Sequence, residues 1–280
     1  MLLSFTRLNT HIEMADYGKY TNKYTNVMKS KIITIANHKG GVGKTTTTAS
    51  LGSILATKGY RVLLIDLDAQ ANLTSSLCKE DIDATIYDTL SSSNTPLPII
   101  NVFQNLDIVP ASIQLAQADL EFGGTMARER MLSDALHDYV ASYDFILIDC
   151  PPSLGLMTLN ALAASDFILT PLVAETLPVN GLTMIVNFVD KVNAKLNPRL
   201  KTLGVLLTRF ETTNLSKCIE QGLREKLGDL VFRTKIRKNV TLAQAPLQSV
   251  NIVEYDPKSN GAKDYLAFTD EFLDKIKEKI

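Results

Sequence analysis

The amino-acid sequence predicts an α/β fold: one doubly wound, mostly parallel sheet with helices on both faces. Three observations lead there. Six short runs, at residues 32–36, 62–65, 106–109, 145–148, 167–172 and 203–207, are apolar or nearly so, which suits strands buried on both faces. Stretches of 12 or more residues separate them, and strand–helix alternation implies parallel pairing through crossover helices. No Pro/Gly-rich linker divides residues 31–280, and the polar stretch 91–96 is short enough to be a surface loop. Residues 31–280 are therefore expected to form one domain.

Composition excludes several classes. Of 280 residues, 45% are apolar and 21% charged, so the chain is not of the disordered type. With 29 basic and 30 acidic side chains the formal charge is -1, so any attraction to an anionic polymer must come from local clustering. Cys78, Cys150 and Cys218 are widely spaced without a CxxC pair, which fits a reducing compartment and gives no zinc pattern. No segment reaches the roughly 18 uninterrupted apolar residues of a membrane-spanning helix. A soluble, cytoplasmic protein is expected.

Taken in order, residues 1–30 are rich in Tyr, Asn, Thr and Lys and contain the near-duplicates Lys19-Tyr20-Thr21-Asn22 and Lys23-Tyr24-Thr25-Asn26. Without a helical or strand period, they are expected to be a disordered tail. Met28, just before the first strand, is an alternative start. The strand at 32–36 runs into Asn37-His38-Lys39-Gly40-Gly41-Val42-Gly43-Lys44-Thr45-Thr46-Thr47-Thr48 and then a helix-like stretch at 49–58. Strand, Gly-rich turn and helix in that order form a phosphate cradle: the glycines let successive amides face phosphate oxygens, and the helix N-terminus adds positive potential. Lys44 would reach the outer phosphates and the Thr45 hydroxyl a Mg²⁺ ion. The general pattern asks for glycine five residues before Gly43; this chain has His38 there, followed by a second lysine, Lys39.

This loop, with Lys39 at its mouth, resembles the deviant Walker A motif of the ParA/MinD family, and nearly all of residues 31–280 is similar to ParA/Soj-type partitioning ATPases. The resemblance covers Pro171-Leu172-Val173-Ala174-Glu175 and the late stretch from Lys238 to Pro246 as well. It implies ATP and Mg²⁺ as cofactors, a nucleotide site made of Lys39, Gly40, Gly41, Val42, Gly43, Lys44, Thr45 and Thr46, and an ATP-dependent homodimer. In that dimer Lys39 would reach the partner's phosphates. A cation supplied across an interface in this way is worth roughly 10³ to 10⁵ in rate in arginine-finger systems.

The second strand ends Asp66-Leu67-Asp68, and alternate residues of a strand share a face. By resemblance Asp66 supports the metal's water shell and Asp68 orients the attacking water. The apolar run at 145–148 is closed by Asp149, as in a Walker B strand, where the acid holds Mg²⁺ directly or through water. Pro151 and Pro152 fix the chain's exit, and residues 153–155 can respond to a γ-phosphate as switch loops do. Lone Cys150 is read as packing, since one thiol cannot build a four-thiolate cluster cage. Arg209 and Glu175 fall where the family places nucleotide-base and dimer contacts.

Between Asp229 and Glu254 there is no acidic residue, while Arg233, Lys235, Arg237 and Lys238 fall within six positions. The segment matches the part of ParA-type proteins that binds DNA without sequence preference, and the resemblance supplies the partners: nonspecific double-stranded DNA and a ParB-type centromere-binding protein, with nucleoid association. The C-terminal segment has Leu266, Phe268, Phe272, Leu273, Ile276 and Ile280 on a helical period. It could target a membrane as in MinD. Asp264, Asp270, Glu271, Asp274 and Glu278 oppose anionic lipid, so packing on the sheet is expected instead.

Overall fold

The computed structural model describes residues 30–79, 81–92, 95–174 and 178–279. Residues 1–29 of the expected tail, the alternative start at Met28, and Glu175 lie outside them.

One eight-stranded sheet runs through the described residues. Its strands are β1 (Lys31–Ile35), β2 (Val62–Asp66), β3 (Ile100–Phe103), β4 (Leu106–Val109), β5 (Phe145–Asp149), β6 (Phe167–Val173), β7 (Lys201–Phe210) and β8 (Val231–Arg237), in the spatial order β3-β4-β2-β5-β1-β6-β7-β8. Every neighbouring pair is parallel except β3–β4, a short antiparallel hairpin. The predicted fold class is the observed one. Six of the eight strands coincide with the apolar runs, while the edge strands β3 and β8 were not expected.

The central strands are apolar on both faces because both faces are covered. Ile32, Leu63, Ile65, Ile146, Ile148 and Ile168 pack on one side with Met157 and Leu162 of the helix Leu156–Ala164, and with Ile185, Val189 and Val192 of the helix Pro178–Lys195. Ile33, Ile35, Leu64, Phe145, Leu147 and Leu169 pack on the other with Leu51, Ile54 and Leu55 of the helix Lys44–Thr57. That second face is completed by the helix Asn260–Lys279, whose Tyr265, Phe268, Phe272 and Ile276 recur at three- and four-residue spacing and are all buried. Its apolar stripe is thus occupied by the core, as expected. Burying each such side chain contributes roughly 1.5–3 kcal/mol.

Sheet register then sets the site. Asp149 at the end of β5 lies opposite Ile35 of β1 on one side and Asp66 of β2 on the other. Parallel strands bring their C-terminal ends to one edge, so the loop after β1 and the acids ending β2 and β5 meet there, where ligands bind in open α/β sheets.

Candidate active site

The turn from β1 into the helix Lys44–Thr57 is pinned from several sides. Asn37 donates to the Pro171 carbonyl at 2.7 Å and accepts the Lys39 amide at 3.1 Å, fixing the loop's first bend. Gly41 and Gly43 have φ of 71° and 86°, left-handed values that glycine adopts without the penalty of a Cβ. Thr208 near the end of β7 donates to the Val42 carbonyl at 2.7 Å, holding the crown of the loop against the sheet.

Lys44 is buried, and its Nζ donates to the Lys39 carbonyl at 3.2 Å, spanning the loop. Burial pushes its amine below the usual lysine range, opposed by the Asp149 and Asp68 carboxylates. An ammonium so placed is stripped of water, the condition in which a phosphate would bind it strongly. Thr45 donates to Asp149 at 2.7 Å. Burial first, then the neighbouring Asp66, raises the Asp149 carboxyl well above the ordinary range, and burial raises Asp66 to about 6. The Thr45 hydroxyl and the Asp149 carboxylate are hard oxygen donors beside excess negative charge, a set that fits Mg²⁺.

Asp68 lies two residues beyond the end of β2, and its carboxylate accepts the Gln70 amide at 3.0 Å. It lines a cleft of about 580 Å³ with Gly40, Gly43, Lys44, Thr45 and Arg209. Arg209 has φ of 47° and donates to the Gly41 carbonyl at 3.4 Å. The cleft is also lined by the end of β8 and the stretch after it, including Arg237, Lys238, Asn239 and Leu242. A larger groove of about 840 Å³ runs along β3 between Cys78 and Glu254 and holds none of the predicted site residues. Size alone does not mark this site; convergent polar groups do.

A family model described as an AAA domain matches residues 30–202. The chain is 45% identical to the sporulation initiation inhibitor protein Soj of Bacillus subtilis, over 84% of this chain and 95% of that protein. It is 40% identical to the chromosome partitioning protein ParA of Myxococcus xanthus, over 92% of each. The chain belongs to the ParA/Soj family of P-loop ATPases. Solved structures agree on the fold. A Borrelia burgdorferi protein assigned to plasmid partition and bound to AMPPNP superposes with a TM-score of 0.76 at 31% identity, covering 90% of this chain and all of that one. A cobyrinic acid a,c-diamide synthase from Mycobacterium smegmatis with bound ATP analogue and magnesium gives 0.78 at 33%, covering 89% and 96%. Two such different names at equal likeness show that the fold by itself does not select the function.

Within this ParA/Soj-family site, Lys39, Lys44, Thr45, Asp66, Asp68 and Asp149 are brought to one edge of the sheet. Lys39 is exposed at the mouth of the loop. Cys150 is fully buried in the core beside β5, a packing position.

The basic segment takes a form the sequence did not suggest. Arg233, Lys235 and Arg237 lie on β8, and each of the four cations meets a carboxylate from a distant part of the chain. Arg233 lies 3.6 Å from Glu271, Lys235 2.8 Å from Glu220, Arg237 2.6 Å from Asp264 and Lys238 2.6 Å from Glu211. A stretch without acids in sequence is therefore not without acids in space.

Two residues of the site were missed. Thr208 had a readable signal, a polar residue near the end of an apolar strand, as with Asp66 and Asp149. Thr74, which donates both its amide and its hydroxyl to Asp66 at 2.9 and 2.8 Å, had none.

Proposed function

We propose that the chain is a DNA-partitioning ATPase that binds Mg²⁺-ATP at the Lys39–Thr46 loop, closes into a two-ATP dimer, binds DNA without sequence preference in that state, and is released by hydrolysis that a ParB-type partner stimulates. The observation that carries this reading is the joint placement of Lys44, Thr45 and Asp68 on one cleft, with Asp149 buried behind Thr45 at 2.7 Å and Lys39 exposed at the mouth of the loop. The M. smegmatis structure with an ATP analogue and magnesium, and the B. burgdorferi structure with AMPPNP, support the choice of ligand.

In this reading Lys44 and the loop amides bind the β- and γ-phosphates, Thr45 and Asp149 hold the metal, and Asp68 orients water. Lys39 supplies charge to the partner subunit's phosphates. The metal, when bound, neutralises charge developing on the transferred phosphoryl group. The names of the B. subtilis and M. xanthus relatives support partitioning over a biosynthetic role. Occupation of the C-terminal helix's apolar face by the core favours DNA over a membrane surface as the platform. Among the described residues no helix is long and apolar enough to cross a membrane.

The test is ATP turnover with and without nonspecific duplex DNA and a candidate ParB-type protein, on the wild-type chain and on Asp68→Ala. Wild-type turnover should rise when both are present. Asp68→Ala should bind ATP and dimerise but turn over at least ~100-fold more slowly, and it should stay on DNA. Rapid turnover by Asp68→Ala would refute the role given to that carboxylate. Pelleting with anionic liposomes, but not with DNA, would move the reading to a membrane switch.

A further inference from the structure

Asp66 ends β2 with both carboxylate oxygens already engaged. Oδ1 accepts the Asp68 amide at 3.0 Å, and Oδ2 accepts the Thr74 amide at 2.9 Å and the Thr74 hydroxyl at 2.8 Å. Asp66 is fully buried and Thr74 nearly so. The Thr74 oxygen in turn accepts the Ala111 amide at 2.9 Å. With Asp66 ionised the direction of this relay is fixed by chemistry: the Ala111 amide can only donate and the carboxylate can only accept, so the Thr74 hydroxyl accepts from Ala111 and gives its one proton to Asp66.

The consequence falls on Asp68. Its amide is tied to Asp66, and the next turn is tied by the Gln70 amide to the Asp68 carboxylate. Position 66 thus acts as a bracket that closes the bend between β2 and the helix Asn72–Leu77, and Asp68 is carried on that bend. Thr74 holds the bracket from the far side and connects it to Ala111, in the loop just after β4.

We infer that Thr74 is a positioning residue for hydrolysis, acting through Asp66 to hold the Asp68 carboxylate where it meets the attacking water. This rests on the ATPase reading above. Thr74 does not line the cleft and would touch neither nucleotide nor metal.

The test compares Thr74→Val, which keeps shape and removes the hydroxyl, with Thr74→Ser, which keeps the hydroxyl. Steady-state kcat and KM for Mg²⁺-ATP would be measured beside AMPPNP affinity and circular dichroism. Misplacing a catalytic group by about 1 Å can cost on the order of 100-fold. Thr74→Val is expected to lose roughly 10- to 100-fold in kcat while KM and AMPPNP affinity stay within about twofold. Thr74→Ser should stay within about threefold of wild type. If Thr74→Val does not fold, Thr74→Ala replaces it with the same expected loss, because it too removes the hydroxyl and leaves the amide bond to Asp66. A kcat within about twofold of wild type in the folded hydroxyl-free variant, or a Thr74→Ser as slow as that variant, overturns the inference. Absence of any turnover in the wild type would instead bring down the ATPase reading and this role with it.

Discussion

Asp149 is a residue whose burial lowers stability and to which the proposed function assigns the metal. It is fully buried, opposite Asp66 across the β5–β2 register, and a hydroxyl at 2.7 Å is its main hydrogen-bond partner. Burial and the neighbouring carboxylate both disfavour its ionised form. Asp149→Asn removes that conflict, because the Thr45 hydroxyl can bond either oxygen or amide. In metal-free buffer at neutral pH its Tm should exceed wild type by a few degrees, the gain fading as pH falls and the wild-type acid is protonated anyway. Turnover should be lost, since the metal loses its anionic ligand. Differential scanning calorimetry with and without Mg²⁺ would check both. Asp66 makes a related prediction about pH. Its folded value of about 6 lies above the 3.8 of an ordinary aspartate, so its contribution to stability is complete below about pH 4 and is lost as pH rises through 6. The two-unit displacement corresponds to about 3 kcal/mol. Comparing metal-free unfolding free energies of wild type and Asp66→Ala from pH 4 to 7 should show wild type losing stability relative to the variant over that window.

Element by element, the interior strands were legible and the edges were not. A run such as Leu63, Leu64 and Ile65 can only be buried on both faces, and it sits in the middle of the sheet. In sequence β8 reads as a charge cluster because its cations are conspicuous, yet Phe232 and Ile236, on positions that alternate with the cations, are buried in the core with the period of a strand. As an edge strand it needs cover for its free hydrogen-bonding groups, and two helices supply it. Glu271 accepts the Arg233 and Thr234 amides at 2.7 and 2.8 Å, and Asp264 accepts the Arg237 amide at 2.9 Å. Arg224 donates to the Val231 and Phe232 carbonyls at 3.3 and 2.9 Å. None of this is visible in sequence, because the partners are 7 to 38 residues apart. Glu271→Ala leaves two amides without their acceptor and should cost about 2–3 kcal/mol in urea unfolding, with faster aggregation as the edge opens. Unchanged stability would mean that water replaces the carboxylate fully. The phosphate loop was legible down to Lys44 and Thr45 because a local turn and its glycines are written in consecutive residues. The bracket at Thr74 closes over eight positions through a buried contact and leaves no local pattern.

At the scale of the whole molecule the question is how a chain of formal charge -1 would bind a polyanion. The four cations of residues 233–238 are each paired with a carboxylate, so the segment is closer to neutral than its sequence. Exposed pairs of this kind are weak, typically worth 0–1 kcal/mol, and a phosphate can compete for a cation whose head remains in solvent. Arg233 meets that condition best: its side chain is 85% exposed and its carboxylate is 3.6 Å away. Arg237 meets it poorly, since three of its contacts to Asp264 lie at 2.6–2.9 Å, counting its own amide. Replacing Arg237 by glutamate would set a second carboxylate beside Asp264, and lost DNA binding would then report a damaged fold as readily as a lost contact. Arg233→Ala is the cleaner probe. The proposed ATP-held dimer would present the position twice, and each phosphate contact contributes about -0.9 to the slope of log K against log salt. Arg233→Ala should therefore flatten that slope by about 2 for the ATP state, weaken binding equally on unrelated duplexes, and leave turnover without DNA unchanged. Fluorescence anisotropy across a salt series would measure it. A slope identical to wild type would show that Glu271 keeps Arg233 from the phosphates, and would shift the DNA contact to Lys238, whose side chain is 61% exposed at the rim of the nucleotide cleft.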